Sequence, residues 1–461
     1  MPQSRTTPLF LIGCCIVLLT ACGGSKATAI PAVSPTATLT TRTQASSDTA
    51  NDATVLPTAT PTDIPSSPSP APITDTGSVT APPATTAPVT PTTVPSATAL
   101  PSATAPTGPP QAHAVPGGTV MLPAGFSIAV YAQNLGPVRF MAVRPSDGML
   151  FVADQNGRIL ALPDANHTGT ADKTIIFASN LREPSSIAFY QDWVYVGETN
   201  EVARFSAPNN AMQAQGAKEV VIPNLPTGGH ATRTVAFGPD GRLYLAIGSS
   251  CNVCNEKDNR RAAISVYDPD GKNGRLFATG LRNAVGFTWQ PGTNQMWATV
   301  NGRDNIGDEL PPDDLRRIND GGFYGWPFCY DGPNPNPEYH DAAKCANVPP
   351  DDVALQAHSA PLGLTFGDTF AAPQPYKESI YIAYHGSWNR SVKTGDKVVR
   401  VPFVNGQAGH PEDFAWGWLP GNADNPGQVW GRPVGVTVGS DGALYITDDD
   451  KGTVYRITAT G

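Results

Sequence analysis

"RTVAFGPDGRLYLAIG", Arg233–Gly248, decides the fold of this chain. It holds two short alternating apolar runs joined by Gly-Pro-Asp-Gly, and Asp-Gly between such runs is a strong hairpin signal. The same phrase recurs along the sequence. Its first runs are "RFMAV" from Arg139, "SSIAF" from Ser185, "RTVAF" from Arg233, "NAVGF" from Asn283, "LGLTF" from Leu362 and "VGVTV" from Val434. Their partners are "MLFVAD", "WVYVGE", "RLYLAIG", "QMWATV", "IYIAYHG" and "ALYITD". Helical periodicity is nearly absent, so the class is all-β.

Six hairpins of one phrase predict a six-bladed β-propeller over residues 115–461. A pair of β-sandwiches would not explain the repetition. The spacing exceeds the ~45 residues of an ordinary blade, so long loops are expected, above all within 311–359. "GFSIAVYAQNL", Gly125–Leu135, is placed to pair with the last blade and close the ring.

In an antiparallel hairpin the start of the first strand and the end of the second lie at the same end. Residues ahead of the first strands then ring one mouth of the central channel: Arg139, Glu183, His230, Arg282 with Asn283, His358 and Arg432. The ends of the second strands bring Asp154, Glu198, Asn301, His385 and Asp448 to the same rim, and the Asp-Gly turns go to the other. Arginine forks suit carboxylates, histidine suits a general base, and oxygen donors suit Ca²⁺. The pattern implies an anionic ligand, a base and a cation, without naming the ligand.

The motifs resemble those of the soluble glucose/L-sorbosone dehydrogenase family, which are propellers using pyrroloquinoline quinone (PQQ) and Ca²⁺. "GGHATRTVAFGPDGRLYLAIGSSCNVC" from Gly228, "GLRNAVGFTW" from Gly280, "HSAPLGLTF" from His358, "YHGSWNRS" from Tyr384 and "WGRPVGVTV" from Trp430 carry the resemblance, which is nearest to the sorbosone branch. It implies oxidation of an aldose or sugar aldehyde by hydride transfer to PQQ. His230 falls on the family's catalytic histidine, Arg282 and Asn283 on its Arg-Asn pair at the quinone, and Arg432 on an arginine that grips a PQQ carboxylate. Asn301, Gly302 and Arg303 fall where backbone carbonyls hold Ca²⁺. His385 lies near a lysine of the glucose dehydrogenases, leaving His230 and His385 as alternative bases, with Arg139, Asn301 and His385 as further cofactor contacts. A lactonase-type hydrolase and a non-catalytic binding propeller are the alternatives. No cytochrome motif is present, so a separate electron acceptor is implied.

The N-terminal region reads as targeting. An apolar run, Leu9–Leu19, is too short to span a bilayer, and "LTAC" ending at Cys22 resembles a lipobox, implying a signal peptide over 1–21 and a lipid anchor on Cys22. Residues 22–114, dominated by Pro, Thr, Ala and Ser, are expected to form a disordered tether. The chain is thus expected to be exported and held to a membrane by its anchor alone. Four further cysteines suggest the disulfides Cys251–Cys254 and Cys329–Cys345 in an oxidising compartment. The formal charge of -9, with no basic stripe, argues against nucleic acid as a partner.

Overall fold

Each of the six hairpins forms the inner half of a blade of four antiparallel strands, to which blades 3 and 5 each add a short fifth strand. A computed structural model describes residues 108–404, 406–422 and 425–460. The signal peptide, Cys22 and nearly all of the tether lie outside the described residues. The inner strands are Val138–Val143, Ser186–Tyr190, Arg233–Phe237, Ala284–Trp289, Pro361–Phe366 and Pro433–Val438. Each packs against the next, and the sixth packs against the first. Phe126–Ala132 pairs with Thr453–Ala459 as the outermost strand of blade 6, so the N-terminal segment closes the ring as the sequence implied.

The second strands are buried along their length, as in Leu150–Asp154 and Leu243–Ile247, because blades cover them on both faces. Aromatic rings fill the wedge between blades 1 and 2, where Phe151 meets Phe177 and Phe189 edge-on. Around the axis, hydroxyls of one blade bond backbone carbonyls of the next. Ser185 and Ser186 donate to Arg233 O, Thr299 to Leu362 O at 2.6 Å, and Thr447 to Arg139 O at 2.7 Å. This close approach explains the glycine of the "NAVGF" phrase. A Cβ on Gly286 would sit 2.2 Å from the Leu362 carbonyl oxygen. Gly286→Ala is therefore expected to destabilise the propeller by about 1–3 kcal/mol through overpacking, read as a lower denaturation midpoint.

Phe140, Val285, Leu362 and Val434 plug the channel just inside the charged rim. Beyond the plug the inner strands of all six blades line a cavity of about 180 Å³. The long insertion falls in blade 4, between Asp313–Ile318 and Val353–Leu355, and holds the Cys329–Cys345 disulfide. One expectation is corrected. The strands Gln111–Val115 and Gly118–Leu122 form a hairpin, so regular structure begins before residue 115. The alternation in "QAHAVPGGTVML" was hidden by its Pro- and Ala-rich setting.

Candidate functional site

The rim resolves into two clusters. In the first, His230 precedes the inner strand of blade 3, and its backbone N–H donates to Ser249 O at the end of that blade's second strand. Its Nδ1 lies 2.8 Å from the same carbonyl. A carbonyl only accepts, so Nδ1 carries the proton and the Nε2 lone pair is left without a partner among the described residues. Burial first, then the charge of Arg282, pushes His230 down to about 4, with Arg261 and Arg233 adding to the effect. The ring is neutral at pH 7.

Asn283 is oriented by a relay. Asn301 Nδ2 donates to Pro361 O at 2.8 Å, which turns Asn301 Oδ1 toward Asn283 Nδ2 at 3.1 Å. Asn283 Oδ1 is thereby directed at Gly248 and His230. A Cβ on Gly248 would lie 2.2 Å from that oxygen and 2.7 Å from His230 Cβ. Gly248→Ala is expected to displace both groups and lower kcat by about tenfold or more, while thermal stability falls only modestly. Equal losses in kcat and in folded yield would count against this placement.

Arg282 departs from the expectation that it touches the cofactor. Its Nε donates to Asn252 O, its Nη1 to the carbonyls of Asn301 and Gly302, and its Nη2 to Asn252 Oδ1 and Asp304 Oδ2. All five N–H groups are committed within the protein, and the residue is 6% exposed. Asn301, with both amide atoms engaged, also acts behind the surface. The expected metal ligands are backbone carbonyls, and one of them is already engaged. The Gly302 carbonyl already accepts from a guanidinium, and the Arg303 side chain forms a bidentate pair with the exposed Glu338. Among the described residues, Cys251, Cys254 and Glu256 are the one group with metal-ligand proximity, and those cysteines are joined in a disulfide.

The second cluster centres on Asp449, which the sequence reading passed over in favour of Asp448. Asp449 accepts from Arg139 Nη1 at 2.8 Å and from His385 Nε2 at 2.9 Å. Arg432 Nη2 donates to His385 Nδ1 at 3.0 Å, and its Nε to the His385 carbonyl. Both ring nitrogens of His385 are thus occupied, and burial pushes the imidazole down to about 4 against the pull of Asp449. His385 orients its neighbours and has no lone pair left for a base. Burial would raise Asp449, but the hydrogen bond from His385 and the charges of Arg139 and Arg432 outweigh it and hold the carboxyl low. Arg139 thus pairs with the Asp449 carboxylate, and Arg432 with the His385 imidazole beside it. Arg139 Nε is buried without a partner among the described residues, and neither Arg139 Nη2 nor Arg432 Nη1 has one. These unpartnered guanidinium N–H groups suit an anion.

The other rim acids and His358 serve the scaffold. Asp448 accepts the backbone N–H groups of Arg432, Asp450 and Lys451. Asp154 pairs with Arg158, Glu198 with Lys218, and Glu183 accepts from Thr199. His358 Nε2 donates to the carbonyls of Gly307 and Leu310. Trp388, at the tip of a hairpin braced by Arg390 on Asp308 and Glu309, is 75% exposed and takes no part in the core. Both disulfides have the expected pairing.

A family model described as TrAA12-like matches residues 120–460. Among curated relatives, an uncharacterized protein of Borreliella burgdorferi is 26% identical over 356 residues, covering 74% of this chain and 90% of that protein. A pyrroloquinoline quinone-dependent pyranose dehydrogenase of Coprinopsis cinerea is 26% identical over 403 residues, covering 72% of this chain and 54% of that protein. The chain therefore spans about half the length of that relative. Among solved structures, the calcium structure of a Trichoderma reesei Carbohydrate-Active Enzymes Family AA12 protein superposes with a TM-score of 0.65 at 20% identity, covering 74% of this chain and 97% of the other. The holo form of the PQQ domain of the Coprinopsis cinerea pyranose dehydrogenase gives 0.64 at 22% identity, covering 77% and 98%. These likenesses establish the propeller fold.

Proposed function

Because the chain belongs to the TrAA12-like family, we propose that it oxidises a sugar or sugar aldehyde using PQQ. What supports this most directly is His230, held as its Nδ1–H tautomer with a free Nε2 lone pair on the rim that carries Arg139 and Arg432. Bound PQQ would supply the two-electron acceptor. Arg139 and Arg432 would hold its carboxylates through their uncommitted N–H groups. His230 Nε2 takes the proton from the substrate hydroxyl, a role that needs the neutral ring. Asn283 Oδ1 accepts from a neighbouring hydroxyl and fixes the sugar against His230. Asp449 and His385 keep the two guanidiniums aimed at the channel mouth.

The substrate we favour is an aldose or aldehyde of the L-sorbosone or glucose kind, and the family branch is that of the sorbosone dehydrogenases. Electrons then pass to a separate acceptor. Calcium enters no step here. The protein is exported and anchored through Cys22, with the residues from 22 up to the Gln111–Val115 strand as its tether. Loss of radiolabelled-lipid incorporation and release to the medium on Cys22→Ala would support the anchor, and unchanged partitioning would refute it.

The function is tested on the purified protein by dye reduction across a panel of aldoses and aldehydes, with and without PQQ and Ca²⁺. Turnover that requires PQQ is the expected result. Failure of PQQ to bind the protein at all would overturn the reading.

A further inference from the structure

Asn252 lies between the two cysteines of the Cys251–Cys254 disulfide, in a ring closed across two intervening residues. Its contacts are unusually many for a loop residue. Its carbonyl accepts from Arg282 Nε at 3.1 Å and Trp326 Nε1 at 3.0 Å. Its Oδ1 accepts from Arg282 Nη2 at 3.1 Å and from the backbone N–H of Asp304 at 2.8 Å, while its Nδ2 donates to Asp304 O at 3.0 Å. One residue thus joins the end of blade 3 to the arginine and the loop of blade 4 through its side chain, and to the arginine and the insertion through its carbonyl.

The same ring reaches His230. Ser249 Oγ donates to Cys251 O at 2.7 Å, and the Ser249 carbonyl is the group that holds His230 Nδ1–H. Ser249 N–H in turn donates to Arg282 O at 2.7 Å. The base and the arginine beside it therefore hang from one short cyclised segment. Nothing in the hairpin repeat requires this segment, since the other five blades carry no disulfide at the end of the second strand.

We infer that Asn252 is a positioning residue, and that the Cys251–Cys254 ring is the part that lets it orient Arg282 and, through Ser249, fix the tautomer of His230. An opened ring removes the covalent closure behind Ser249 and Asn252 and leaves them to their hydrogen bonds alone. The Ser249 carbonyl then no longer selects Nδ1–H, and Arg282 regains N–H groups that can turn toward the channel. Because the disulfide is reducible, the site's alignment depends on the redox state around the protein.

The test compares wild type, Asn252→Ala and the double variant Cys251→Ser/Cys254→Ser, together with wild type treated with a thiol reductant. The first readout is histidine ¹⁵N and ¹³C NMR on the protein without PQQ, with the His230 signal assigned through His230→Gln. Wild type is expected to show Nδ1–H at His230, and the altered proteins an Nε2–H fraction. This readout does not depend on the proposed activity. The second readout, which rests on the dehydrogenase reading, is steady-state kinetics: kcat falls roughly 10–100-fold with KM within a few-fold. Asn252→Ala should add little once Arg282 is already alanine, because the two act as one unit. If Asn252→Ala does not fold, the serine pair and the reduced wild type still decide the matter. An unchanged His230 tautomer in all of them would overturn the inference, even where activity is lost. A changed tautomer in a protein that oxidises no sugar would sustain it and sink the dehydrogenase reading instead.

Discussion

His230→Gln is expected to lower kcat by about 10²–10⁴-fold with little change in KM, the usual range for removing a positioned general base. Glutamine keeps an N–H for the Ser249 carbonyl and a similar volume, so the local hydrogen bond survives and only the basic lone pair is lost. Burial and the adjacent Arg282 push His230 down to about 4. The free imidazole is therefore already the competent form at neutral pH, and kcat/KM should fall on acidification through about 4, not through the ordinary histidine range. In His230→Gln that acid limb should disappear along with most of the rate. A loss below tenfold, with the acid limb retained, would move the base role elsewhere. His385 would not be the natural heir, because Asp449 and Arg432 occupy both of its ring nitrogens.

The fold was legible because the repeat is written in local chemistry. An Asp-Gly turn needs no knowledge of distant residues, and alternation marks which face of a strand is buried. Six copies then leave few ways to close a ring. The rim was legible for the same reason, since strand ends follow from strand positions. Which rim residues face a ligand was not legible. Arg282 and Asn301 look like ligands in sequence, yet each has its polar atoms drawn into partners from other blades or loops, such as Pro361 and Asp304. Such partners lie tens of residues away, and no spacing rule announces them. Asp449 was missed within the run "DDD", where Asp448 closes the strand and caps the turn while its neighbour turns to the channel. Asn252 carried one signal, its place inside a C-x-x-C pair, which had been read for its disulfide alone.

Asp449→Asn is expected to destabilise the protein without PQQ by about 3–5 kcal/mol, the typical consequence of removing one partner from a buried charge pair. Burial presses first against the charge of Arg139, Asp449 opposes that pressure, and Arg432 adds like-charge repulsion. With the carboxylate gone, the two guanidiniums face each other and a neutral imidazole. The carboxyl is held low in the folded state, so its contribution is present above the ordinary carboxylate range and is lost only as pH falls through its depressed folded value. His230 and His385 act in a different window. Both are lowered to about 4, so the unfolded chain takes up their protons first. The histidines' own contribution should then decline between roughly pH 6.5 and 4 by up to about 1.4 kcal/mol per pH unit for each, while Asp313, Asp396 and Asp448, which burial raises to about 7, 7 and 6, act in the opposite sense. Thermal denaturation at pH 7 isolates the aspartate from the histidines, and a bound polyanion should partly replace the missing charge. The rise in Tm on adding PQQ is accordingly expected to be larger in Asp449→Asn than in wild type, and larger at low salt than at high salt. An equal or smaller rise would mean that the anion does not sit against Arg139 and Arg432, and the cofactor would have to be placed elsewhere on the rim.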